Sequence, residues 1–156
     1  MIGMKHKKKR YKKTMLQYVM KVACGIMFDN ANKILMGLRN EKGPNPNIWE
    51  FPGGKCEMNE TIEECLHREW KEELNLNIKI EKLLHITNSG GIECYFFTGK
   101  ILNIGNLHVN VHQYVSFYDI DQISQLKLFE GDENIIPGVG VIHEGDSIEL
   151  TEGNLY

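Results

Sequence analysis

The chain has no CxxC pair and no histidine spacing of the kind that builds a zinc site; its cysteines, Cys24, Cys56, Cys65 and Cys94, stand well apart. An apolar leader is missing near the start, so reduced thiols in a cytoplasmic compartment are expected rather than secretion. No apolar run approaches the length needed to cross a bilayer, which argues against a membrane partner. No internal repeat is visible either. What remains is the composition of one soluble globular domain, 42% hydrophobic and 25% charged over 156 residues, long enough to bury a core without staples.

Acid is absent from the first 13 residues, which carry seven of the 18 Lys and Arg. The rest of the chain holds 11 basic against 21 acidic groups, so an acidic body follows a basic tail. Residues 1–17, with KHKKKRYKK at their centre, have too little apolar content to fold alone and are expected to be disordered. A solubilising leader is the plainest reading; an RNA or other nucleic-acid contact, a localisation signal and a tether to an acidic surface are the alternatives. Oligomeric state has no signal in the sequence.

Residues 18–136 read as the folded domain. Tyr18 to Phe28 and Lys33 to Leu38 form a predicted hairpin across the turn Asp29-Asn30-Ala31-Asn32. It ends in Arg39, and the loop NEKGPNPN then leads toward a Pro52-Gly53-Gly54 turn. After a helix come strands over Leu76 to Thr87, Ile92 to Ile101 and His108 to Tyr118, with Asn88-Ser89-Gly90-Gly91 as the intervening turn. A short helix over Asp119 to Gln125 follows, and another begins at Gly131, which Pro137-Gly138-Val139-Gly140 is expected to stop. Residues 137–156 are left as an extension of unassigned structure. The order of elements indicates an α+β domain with a mixed or antiparallel sheet. His85, His108 and His112 are expected to be surface or packing residues, although His112 could line a cleft.

The helix carries an internal conflict. At about 100° per residue, Ile62, Cys65, Leu66, Trp70 and Leu74 form a core-facing stripe, capped by Asn59 or Thr61 and ended by Asn75 and Asn77. Glu69, Glu72 and Glu73 fall inside that apolar arc, within roughly 60° of one another. Their spacing stacks like charges as neighbours, which is costly unless a cation compensates them. A hard divalent ion bound through carboxylate oxygens is the natural compensation. A glycine at 53 lets backbone approach a metal or phosphate closely.

The stretch WEFPGGKCEMNETIEECLHREWKEELNL resembles the signature of the Nudix hydrolases. Gly54 is followed after five residues by Glu60 and after seven more by Arg68-Glu69; Trp70 takes the apolar position, Glu72-Glu73 follow, and Leu76 closes the box. Asn75 departs from the family, which has glycine there, but Asn tolerates the left-handed conformation. The resemblance implies an α/β/α sandwich around a mixed sheet, with Mg²⁺ or Mn²⁺ as cofactor. It implies that Glu69, Glu72 and Glu73 bind metal with the carbonyl of Gly53, that Arg68 orients the glutamates, and that Glu60 supports the site.

An acidic site can take an anionic polyphosphate only through bridging cations. The expected reaction is hydrolysis of a nucleoside triphosphate to a monophosphate and pyrophosphate, with Arg39 and Lys55 steadying the phosphates. The flank IWEFPGGK is similar to that of mutator-type, nucleotide-sanitising members such as 8-oxo-dGTP diphosphatases. In some of these a late acidic residue reads the base, a place matched by Asp132 or Glu133; for Asp132 a helix N-cap is the competing role. The alternatives are another nucleotide linkage, such as a dinucleoside polyphosphate or mRNA cap, and a nucleotide- or nucleic-acid-binding module without turnover.

Overall fold

The computed structural model describes residues 19–129 and 132–143, the side chains of 140–143 excepted. The basic tail and everything after His143 lie outside the described residues, so the expectations placed on them are not carried further.

Strand β1 (Met20–Phe28) turns at Asp29, whose carboxylate accepts hydrogen bonds from the backbone of Ala31 and Lys33, and returns as β2 (Ile34–Leu38). Two short strands the sequence reading did not anticipate follow, β3 (Trp49–Glu50) and β4 (Gly53–Lys55), one on each side of Pro52. Helix α1 (Ile62–Leu74) comes next, then the long hairpin β5 (Ile78–Ser89) and β6 (Ile92–Ile101). Strand β7 (Tyr114–Tyr118), helix α2 (Ile120–Ile123), a 3-10 turn over Asp132–Ile135 and helix α3 (Ile136–His143) complete the described chain. The sheet runs β3-β2-β1-β6-β5, with β4 paired to β1 and β7 to β2. Strands β1 and β6 are parallel and the other pairs antiparallel, so the sheet is mixed.

Alternation along β1 divides the core between two faces. Ala23 and Met27 meet α1 through Leu66, Trp70 and Leu74; Ile26, Ile34, Met36, Phe51, Leu84 and Phe96 meet Ile123, Ile135 and Val139 on the opposite face. Helical layers on both faces make the expected α/β/α sandwich. Among the described residues no helix is long and apolar enough to cross a membrane.

Two expectations are corrected. Pro137 does not stop the last helix, because it lies in the first turn of α3, where its missing N–H has no intrahelical acceptor to lose. The strand expected from His108 starts only at Tyr114. The backbone N–H groups of His108 and Asn110 instead donate to the carbonyls of Leu74 and Glu73, capping the end of α1 and drawing this segment out of the sheet.

Candidate active site

Helix α1 is fixed at both ends. Thr61 and Glu64 form a reciprocal capping box at its start. At its finish Asn75 takes the left-handed conformation, φ 55°, and its side-chain amide donates to the carbonyl of Asn106. The departure from glycine is therefore accommodated in the backbone and used by the side chain. In the middle, the Trp70 indole N–H donates to the Pro52 carbonyl at 2.8 Å, beneath which Gly25 leaves room for the ring. That bond locks α1 to the Pro-Gly-Gly segment and sets the distance between the helix and the glycines.

Arg68 organises the acidic residues around it. Its guanidinium donates twice to Glu60, at 2.6 and 2.9 Å, and once each to Glu69 at 3.0 Å, Glu72 at 3.2 Å and the Lys55 carbonyl at 3.1 Å. Glu60 also accepts the Glu57 backbone N–H. These donors hold the Glu60 carboxyl well below its usual range, at about 2. Glu69 lies against Gly54, where a Cβ would overlap its carboxyl group. Burial pushes Glu69 upward, and Arg68 offsets part of that rise.

Glu73 lies deeper and has no such partner. Burial, then repulsion from Glu69 and Glu50, raises its carboxyl to about 8 against the pull of Arg39. Its Oε2 is buried without a hydrogen bond among the described residues. Glu72 corrects the wheel: its side chain is 60% exposed, at the rim rather than inside.

Among the described residues no group of three or more His, Cys, Asp or Glu side chains is placed to hold a metal ion. The donor chemistry nevertheless suits a hard divalent cation: carboxylate oxygens, one of them buried and unsatisfied, and no thiolate or imidazole among the helix acids.

A cleft of about 260 Å³ opens beside Glu73, and Gly53, Glu50, Arg39, Val111 and His112 share its walls. Arg39 thus faces the same space as the acidic helix, as its position at the end of β2 suggested. Its guanidinium donates to Glu50 at 3.0 Å and to the Pro44 carbonyl at 3.1 Å, and stands over the Phe129 ring. Lys55 is exposed at the end of β4 and is not among the residues that border this cleft. Asp132 opens the 3-10 turn, half-buried; burial and the carboxylates of Glu133 and Glu50 raise it to about 7. Glu50 was not singled out from the sequence. Its signal was a lone charge between Trp49 and Phe51, in a strand that is otherwise apolar.

Comparison with known proteins bears on the family and the fold. The family model described as NUDIX domain matches residues 19–138. An 8-oxo-dGTP diphosphatase of Proteus vulgaris is 40% identical over 57 residues, 36% of this chain and 51% of that protein, so the match spans about half its length. The low-salt glycan biosynthesis protein Agl8 of Haloferax volcanii is 30% identical over 115 residues, 70% of each chain. In structure, the MutT protein of Methanosarcina mazei Go1 aligns with a TM-score of 0.70 and 17% identity, covering 83% of this chain and 96% of that one. The family match spans more than half of the chain and encloses the box, and the chain belongs to the Nudix family.

Proposed function

We propose that the protein hydrolyses a nucleoside triphosphate, oxidised or otherwise non-standard bases included, to a nucleoside monophosphate and pyrophosphate in the presence of Mg²⁺ or Mn²⁺. The observation that carries this reading is Glu73, a buried carboxylate with an oxygen left unpaired beside Glu69. A buried oxygen with no donor is costly, and a cation that arrives with substrate would relieve that cost.

In this reading Glu69, Glu72 and Glu73, with the Gly53 carbonyl, hold the divalent ion. Such an ion, when bound, neutralises phosphate charge and makes water acidic enough to yield hydroxide near neutral pH. Arg68 keeps Glu69 and Glu72 aimed while Glu60 fixes Arg68. Once ionised, one of these glutamates would be able to take a proton from an attacking water. Arg39 meets the phosphates, and Asp132 meets the base, where its raised carboxyl can donate as well as accept. Lys55 contributes only at longer reach. The diphosphatase name of the Proteus relative supports the reaction type, and the chain's free thiols support a reducing, cytoplasmic setting.

The test is a panel of normal and oxidised nucleoside triphosphates, nucleoside diphosphate sugars and dinucleoside polyphosphates, with Mg²⁺ or Mn²⁺, scored for pyrophosphate and monophosphate. Pyrophosphate from a triphosphate, abolished in Glu73→Gln, is expected. Full activity in Glu73→Gln would sink the assignment.

A further inference from the structure

Glu50 joins two groups that the sequence places far apart. One of its oxygens accepts from Arg39 Nη1 at 3.0 Å, and the other faces His112 Nε2 at 2.8 Å. An ionised carboxylate only accepts, so the imidazole carries its proton on Nε2. Nδ1 is buried without a partner among the described residues. The His112 side chain is only 1% exposed. Its ring lies over Gly37, where any Cβ would overlap it.

The segment bearing His112 is pinned on both sides. Asn110 donates its backbone N–H to the Glu73 carbonyl and its side-chain amide to the Glu72 carbonyl. Gln113 donates to the carbonyls of Leu38 and Arg39. A ring held this firmly, at the cost of an unpaired nitrogen, fixes whatever its remaining nitrogen binds.

What it binds decides how Arg39 is presented. His112 holds Glu50 by Oε1, which leaves Oε2 to accept from Arg39 Nη1, and the Arg39 side chain stays 27% exposed beside the cleft. We propose that His112 is a positioning residue which, acting through Glu50, keeps the Arg39 guanidinium turned toward the cleft and available to an anionic phosphate. The role of Arg39 toward phosphate rests on the hydrolase reading above; its placement by His112 does not.

The test uses the full chain and two variants. His112→Phe keeps a flat ring of similar size but removes the donor; His112→Gln removes the ring but supplies an N–H. The Arg39 Nε–Hε signal, assigned by its loss in Arg39→Lys, is followed by ¹⁵N NMR without nucleotide. It should shift or broaden in His112→Phe and stay near its wild-type position in His112→Gln. In parallel, KM for the triphosphate that is turned over should rise roughly tenfold in His112→Phe with kcat little changed, and recover in His112→Gln. In an Arg39→Ala background, His112→Phe should add nothing further to KM. An unmoved Arg39 signal in His112→Phe, or equal disturbance in both His112 variants, overturns the proposal. Full activity in Glu73→Gln would instead overturn the hydrolase reading, while the NMR result would still decide the placement of Arg39.

Discussion

Arg68 grips Glu60 through a two-bond fork, Nε to one oxygen and Nη2 to the other, across the start of the helix that carries both the cap and the acids. The same guanidinium then reaches Glu69 and Glu72 with Nη1. Only a planar group with several fixed donors can serve these acceptors at once, and a lysine ammonium cannot reproduce the fork. Arg68→Lys is expected to keep the charge and the fold but lower turnover about 10–100-fold, the usual effect of losing a group that orients metal ligands. Steady-state kinetics with varied Mg²⁺ would show it; wild-type turnover in the variant would remove Arg68 from the role.

Trp70 offers a prediction about stability. It is fully buried, and its N–H reaches the Pro52 carbonyl across 18 positions of sequence. Trp70→Phe keeps an aromatic core but removes one of the two donors to that carbonyl, leaving it only the Gly25 N–H, and opens a gap above Gly25. Together these should cost about 2–4 kcal/mol in urea unfolding. A loss near zero would mean that helix and glycine segment are held together by something else.

The acidic helix was legible because its period and its acids contradict one another: a stripe containing Leu66, Trp70 and Leu74 leaves no comfortable place for Glu69 and Glu73. Strands β5 and β6 were legible from alternation, and the turn between them from Gly90 and Gly91, both at positive φ. Strands β3 and β4 were hidden because two or three residues on each side of Pro52 show no period. Pairing of Gly53 with Cys24 depends on the missing side chain, since a Cβ there would strike the Ala23 carbonyl. Glu50 and His112 come together over 62 positions, a separation for which local pattern gives no sign. The exposure of Glu72 was misjudged for a simpler reason: a wheel shows direction but not where the neighbouring sheet ends.

Asn75 separates backbone from side-chain effects. Glycine at this position would accept φ 55° without strain but lose the bond to the Asn106 carbonyl. The two changes oppose each other, so Asn75→Gly should alter stability by less than about 1 kcal/mol. Asn75→Ala gains nothing in the left-handed region and loses the same bond, and should cost about 1–2 kcal/mol. Chemical denaturation of the pair checks this. If Ala and Gly proved equal, the left-handed cap would not be what the position demands.

The carboxyl of Glu73 makes stability depend on pH and on metal. Folded, it holds its proton up to about 8. Unfolded, it ionises in the ordinary range, about 4.3. Between those values the folded state binds more protons, so stability falls as pH rises. Asp132, raised to about 7, acts in the same direction over a similar window. Glu60 acts oppositely: its stabilisation is present above its unfolded value and is lost only as pH falls through about 2, outside that window. Without divalent metal, the melting temperature should therefore decline from about pH 5 to about pH 8. Mg²⁺ or Mn²⁺ favours the ionised carboxylate, so its stabilising effect should be larger at the alkaline end than at the acidic end. Glu73→Gln should flatten the decline and reduce the response to metal. Melting curves across that range, with chelator or with saturating metal, measure both effects. If added metal raised wild type and Glu73→Gln equally at the alkaline end, the ion would be binding elsewhere.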